Sequence, residues 1–179
     1  MVYMFLADGF EEVEALCPLD ILRRAGIEVT TVGVERDTVR GAHGITVQAD
    51  IPAVMYRDSD PEMIILPGGM PGAKNLDECR TVDAALRAAS RKGAYLAAIC
   101  AAPFVLGRRG LLEGKRATCF PGFEAELTGA TVEPELTVVR DGNVITAKGM
   151  GAAFEFGLEL VRCLRDEQTA EKIKSSVFG

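Results

Sequence analysis

Short apolar runs alternate along this chain with stretches where apolar residues recur every three or four positions. Val2–Ala7 is a strand-length apolar run. Glu11–Ala25 then places Val13, Leu16, Cys17, Ile21 and Ala25 at helical spacing and stops at Gly26. Glu28–Val34 is rich in β-branched residues and predicts a second strand. Val39 to Ala49, with Gly41 and Gly44 on either side of His43, predicts a hairpin. Met63–Leu66 is a short buried strand running into Pro67-Gly68-Gly69, and Thr81–Lys92 is a helix with Val82, Ala85, Leu86 and Ala89 on one face. Tyr95–Ile99 predicts a further strand, and a helix follows at Cys100. Beyond it, Ala117–Phe120 is a candidate strand, and Leu136–Arg140 and Asn143–Ala147 flank the hairpin turn Asp141-Gly142. Gly151–Leu164 and Thr169–Val177 complete the pattern as helices.

Strands alternating with helices imply an α/β fold, a mostly parallel sheet with helices on both faces. In such sheets ligands bind beyond the carboxyl ends of the strands. Three loops are expected there: Asp8-Gly9-Phe10-Glu11, Pro67-Gly68-Gly69 and Cys100-Ala101. The chain of 179 residues shows no repeat and no linker, and one domain over residues 1–179 is expected.

Cys100 carries the strongest chemical signal. It stands between a buried strand and a helix, where a sharp turn presents a nucleophile. The positive end of the helix dipole is expected to favour its thiolate. Glu14, on the first turn of its helix and four residues before Pro18, where the helix is expected to kink, is the candidate partner. Buried beside a thiolate, its carboxyl would keep a proton and donate it in a hydrogen bond to sulfur. The plainer reading of Glu11, Glu12 and Glu14 is that all three complement the helix dipole. Gly68 and Gly69 let backbone N–H groups approach a substrate oxygen, and Gly69 with Ala101 would form an oxyanion hole. His43 is the single histidine. Either it is a turn residue, or it approaches the pocket.

Composition removes several classes. With 26 acidic and 20 basic side chains the formal charge is −6, which disfavours a nucleic-acid partner. No apolar run approaches the roughly 20 residues needed to span a bilayer. Met1–Leu6 carries no basic region and reads as a strand rather than a signal peptide, so a cytoplasmic location is expected. The 5 cysteines are odd in number, none in C-x-x-C spacing, which suggests thiols rather than disulfides. Cysteine and histidine ligands for zinc would have to come from scattered positions, so no metal is expected. Cys17, Cys79, Cys119 and Cys163 read as structural thiols.

Four segments, Ala7–Glu14, Ile65–Gly69, Ala97–Pro103 and Gly149–Phe156, together resemble the ThiJ/PfpI superfamily, in the branch of the Parkinson disease deglycase. The similarity runs through essentially the whole chain. It implies a flavodoxin-like three-layer sandwich, like that of class I glutamine amidotransferases, and a homodimer. By matching position Cys100 is the oxidisable nucleophile, Glu14 its protonated partner, and Gly69 and Ala101 the backbone donors. The resemblance also implies a small dicarbonyl such as methylglyoxal, or a glycated protein, as substrate, with no cofactor. Redox-responsive chaperones occur in the same family, so enzyme and oxidative-stress sensor both remain open. Phe120 stands where the family carries a histidine, which argues against peptidase activity. His43 matches a hairpin position near the dimer interface of relatives and so is a candidate binding residue.

Overall fold

The computed structural model describes residues 1–57 and 60–178. Its first unit is strand β1 (Val2–Leu6) followed by helix α1 (Glu12–Arg24) and strand β2 (Val29–Gly33). The hairpin β3 (Thr38–Arg40) and β4 (Thr46–Gln48) stands apart from the main sheet, and β5 (Ile51–Pro52) rejoins it. Next come β6 (Met63–Leu66), helices α2 (Gly72–Glu78) and α3 (Arg80–Arg91), β7 (Tyr95–Ile99) and the short helix α4 (Pro103–Gly107). A two-residue ribbon, β8 (Arg116–Ala117) with β9 (Thr131–Val132), precedes β10 (Val138–Asp141), β11 (Val144–Ala147), α5 (Ala153–Leu164) and α6 (Glu167–Phe178).

The main sheet has 7 strands in the order β10-β11-β7-β6-β1-β2-β5. Every pair is parallel except β10 with β11, which form the expected hairpin at Asp141-Gly142. Strand alternation divides the core in two. Phe5, Ile64, Leu66 and Ala98 face α2, α3 and α4, packing with Leu76, Leu86 and Phe104. Met4, Leu6, Ile65 and Ile99 face α1, α5 and α6, packing with Leu22, Phe156 and Leu160. Because β1, β6 and β7 are buried on both faces, they read as unbroken apolar runs. The result is the expected flavodoxin-like sandwich. Among the described residues, no helix is long and apolar enough to cross a membrane.

Three expectations are refined. Of the expected 117–120 strand only Ala117 pairs, in a ribbon that begins at Arg116. Pro18 lies inside an unbroken α1. The helix behind Cys100 begins only at Pro103 and is 5 residues long.

From β1 the chain builds outward through β2 to β5, and from β6 it builds the other way through β7 to β11. The crevice at the carboxyl end of a sheet lies at such a reversal. The loops after β1, β6 and β7, on three adjacent strands, therefore meet at one end of the molecule.

Candidate active site

Cys100 follows β7 directly and holds the left-handed conformation, φ 65°, which few residues other than glycine adopt. Two hydrogen bonds pin this turn. The Cys100 N–H donates to the Ala147 carbonyl at 2.9 Å, and the Phe120 N–H donates to the Cys100 carbonyl at 2.8 Å. The turn aims Sγ at Glu14, to which it is hydrogen-bonded, and the backbone N–H groups of Gly69 and Ala101 also face the sulfur.

Glu14 reaches the same point from α1. Glu11 caps that helix, accepting the Glu14 N–H at 2.7 Å. This fixes the first turn and turns the Glu14 side chain inward, where it is 1% exposed. Its Oε2 accepts the Gly68 N–H at 3.1 Å, and the Met150 N–H faces the same carboxyl. Gly68 has to be a glycine: a Cβ there would lie 2.5 Å from both Cys100 Cβ and Glu14 Oε2. Gly69 adopts φ 86°, which turns its N–H toward the sulfur.

The electrostatics follow from burial. Removal from water, helped by the neighbouring Glu11 charge, raises Glu14 to about 7. Burial, then the Glu14 carboxylate, pushes the Cys100 thiol up to about 12, against the Gly69 and Ala101 N–H groups. That direction is opposite to the one expected from a helix terminus. The reason is geometric: α4 starts three residues on and is a single short turn, so its dipole is weak. Both groups resist ionising, and each resists more when the other is charged. They therefore titrate as one unit that holds a single proton between its two steps.

Within this chain His43 is bound to Glu12. Its backbone N–H and its Nδ1 both meet the Glu12 carboxylate, at 2.7 and 2.9 Å, and its side chain is 71% exposed. The hydrogen bond to the Glu12 carboxylate, then the Glu12 charge, raises the His43 pKa. Glu12 is itself buried and ties the β3–β4 turn to α1, a role sequence reasoning gave to the helix dipole alone. Glu11, Glu12 and His43 have ligand atoms within 4.8 Å of one another, but the close partners of Glu12 are already the His43 ring and backbone. Met150, like the Ala147 carbonyl, was not singled out from sequence. Both act through the backbone, where side-chain identity leaves no trace.

The chain matches the description of the DJ-1/PfpI family over residues 1–163. It belongs to that family. The DJ-1 homolog B protein of Arabidopsis thaliana is 38% identical over 170 residues, 94% of this chain and 39% of the relative. The chain thus spans well under half of that protein. A Caenorhabditis elegans relative named glutathione-independent glyoxalase DJR-1.2 is 32% identical, with 91% of this chain and 87% of the relative covered. The crystal structure of Drosophila melanogaster DJ-1beta superposes with a TM-score of 0.95 at 32% identity, covering 99% of this chain and 96% of the other. The DJ-1/PfpI segments quoted from the sequence are those that build the Cys100 turn, the Gly68–Gly69 loop and the Glu14 helix turn.

Proposed function

We propose that this DJ-1/PfpI protein is a cofactor-free, cysteine-dependent stress enzyme acting on reactive dicarbonyls such as methylglyoxal, or on their protein adducts. One observation carries the reading: a buried carboxyl and a thiol share a hydrogen bond beneath two backbone N–H donors. The glyoxalase name of the nematode relative agrees with it.

The reaction uses the shared proton. Proton transfer from Cys100 to Glu14 gives a thiolate beside a carboxylic acid. Sγ adds to the aldehyde carbon, the C=O electron pair moves to oxygen, and the N–H groups of Gly69 and Ala101 hold that oxygen until Glu14 protonates it. The Glu14 carboxylate then removes the hydrogen of the former aldehyde carbon, its electron pair passing to the ketone oxygen, which takes up the hydroxyl proton of the first carbon as Glu14 returns its proton to the neighbouring carbon, leaving a thioester. The aldehyde carbon is oxidised and the ketone carbon reduced, so no external redox partner is needed. Water cleaves the resulting thioester, releasing a 2-hydroxy acid and regenerating the thiol. Phe120 offers no proton, so Glu14 carries every transfer.

Lactate formation from methylglyoxal, measured for the wild type and Cys100→Ala, tests the reading. Loss of at least a hundredfold in the variant is expected, and equal rates in both proteins overturn it.

A second reading is favoured by the same donors. Oxidation of Sγ by two equivalents of peroxide gives a sulfinate, whose oxygens would accept from Glu14, Gly69 and Ala101. Intact mass after mild peroxide should then show two added oxygens on Cys100 before any other cysteine. Even oxidation of all thiols speaks against a sensor. Either role suits a cytoplasmic protein, in which the unpaired cysteines stay reduced. A homodimer is part of the proposal. An open groove of about 500 Å3, with Val13, Leu16 and Ile45 among its lining residues, runs along the outer face of α1 and supports it.

A further inference from the structure

The outer face of α3 carries an arrangement that the Cys100 site does not use. Arg80, Ala84, Ala88 and Arg91 follow one another at spacings of four, four and three positions and so share one side of the helix. With Tyr56 they line an open groove of about 450 Å3, floored by Ala85 and Ala88. Arg80 opens the helix and Arg91 closes it, about 16 Å or three turns apart. Tyr56 makes a firm wall, because its ring packs edge-on against Tyr3 and Phe5, centroids 4.9 and 5.2 Å away. Beside Tyr56 the turn Ala53–Met55 leaves Val54 80% and Met55 59% exposed. Among the described residues no large apolar side chain is more exposed than Val54. Apolar side chains displayed next to an apolar groove, with charged groups at its rim, mark a surface that another molecule covers.

Charge selects that molecule. On α3 itself Arg87 meets Asp83 at 3.1 Å, and Asp83 is shared with Arg109 at 2.9 Å. Lys92 meets Asp60 at 3.2 Å. Arg80 and Arg91 are exposed and, among the described residues, meet no carboxylate, although the chain carries 26 acidic side chains against 20 basic ones. Each therefore keeps its planar fork of donors for an anion from outside. Between them the groove offers only alanine, threonine and the Tyr56 wall, and alanines let a second helix come to the near end of the usual interaxial range of about 8–10 Å. A membrane fits less well. The surface is a groove with two cations, and a net charge of −6 opposes an anionic leaflet.

We propose that this face of α3 docks an amphipathic helix of a partner protein, its apolar stripe lying in the groove beside Val54 and Met55 and its acidic residues, three turns apart, meeting Arg80 and Arg91. None of these residues belongs to the Cys100–Glu14 site, so the proposal stands or falls apart from the reaction.

A capped helical peptide of about 18 residues tests it, with leucine and alanine along one face and two glutamates eleven positions apart beside that face. Its control carries lysines in place of the glutamates. Fluorescence anisotropy with the full chain is expected to give a dissociation constant below about 100 µM for the glutamate peptide, and binding at least tenfold weaker for the control. Arg80→Glu, Arg91→Glu and Met55→Asp, all at exposed positions, are each expected to weaken the glutamate peptide at least fivefold. Arg80→Glu/Arg91→Glu together should reverse the preference and bind the lysine peptide more tightly, a gain that a poorly folded protein would not show. Amide shifts in an NMR titration should fall on α3 and residues 53–57. No binding of the glutamate peptide, equal binding of both peptides by the wild type, a double variant that keeps the wild-type preference, or amide shifts centred elsewhere overturns the proposal. Adsorption to phosphatidylserine vesicles in place of the peptide overturns it too, by giving the face to a membrane.

Discussion

At Cys100 a side chain with a Cβ is held at φ 65°, a conformation that costs an L-residue about 1–2 kcal/mol. The strain is retained because it aims Sγ at Glu14 and at the Gly69 and Ala101 N–H groups. Glycine carries no such strain, although its freer unfolded chain offsets about 0.4–1 kcal/mol. Cys100→Gly is therefore expected to be more stable than Cys100→Ala by roughly 0.5–1 kcal/mol in urea unfolding, where the strain exceeds that offset. Equal or lower stability contradicts a strained turn. The turn itself was legible, since a cysteine between an apolar run and a helical pattern has few other conformations. The direction of its titration was not. That depended on α4 being too short to supply a dipole and on how deeply Glu14 is buried, and neither length nor depth is written in local spacing.

Among the elements, α1 and α5 approach each other closely. A Cβ on Gly157 would lie 2.7 Å from Ile21 Cδ1 and 3.1 Å from the Pro18 Cα, so the two helices approach at this glycine. Gly157→Leu is expected to destabilise by about 1–3 kcal/mol, the usual cost of overpacking, and to displace the turn that carries Glu14. Chemical denaturation measures the first effect; a wild-type midpoint would show that the helices are free to separate. The long apolar elements could be read from periodicity, and β1, β6, β7, α3 and α5 lie close to where it puts them. Helix α2 could not. Its 7 residues offer only Ala73 and Leu76 to the sheet, less than two turns of pattern. The β8–β9 ribbon was hidden for a related reason, because two-residue strands joined across a long loop leave no alternation.

At the scale of the whole molecule, the order β10-β11-β7-β6-β1-β2-β5 is what brings three distant loops to one end. The sequence placed those loops together beyond the carboxyl ends of the strands; the reversal between β1 and β6 is what brings them there. His43 was a candidate binding residue through a hairpin position that matches one near the dimer interface of relatives; within this chain it is bound to Glu12, a pairing 31 positions apart that no spacing predicts. The outer face of α1 beside this hairpin leaves Val13 and Ile45 at 43% and 54% exposure. The proposed homodimer covers them. Val13→Asp is expected to shift sedimentation from dimer toward monomer, whereas a monomeric wild type or an undisturbed dimer in the variant excludes this face as the interface.

The central claim is that Glu14 and Cys100 act as one acid–base unit, losing a first proton near pH 7 and the second near pH 12. Below the second step the thiolate arises only in the singly protonated form, by passing its proton to Glu14. The rate of Cys100 alkylation by iodoacetamide, followed from pH 5 to 10 in the wild type and in Glu14→Gln, reads this directly. The account predicts a rise with a midpoint near 7 and a plateau above it in the wild type, and loss of that step in Glu14→Gln. A rate that climbs without a plateau past pH 9, alike in both proteins, would contradict it.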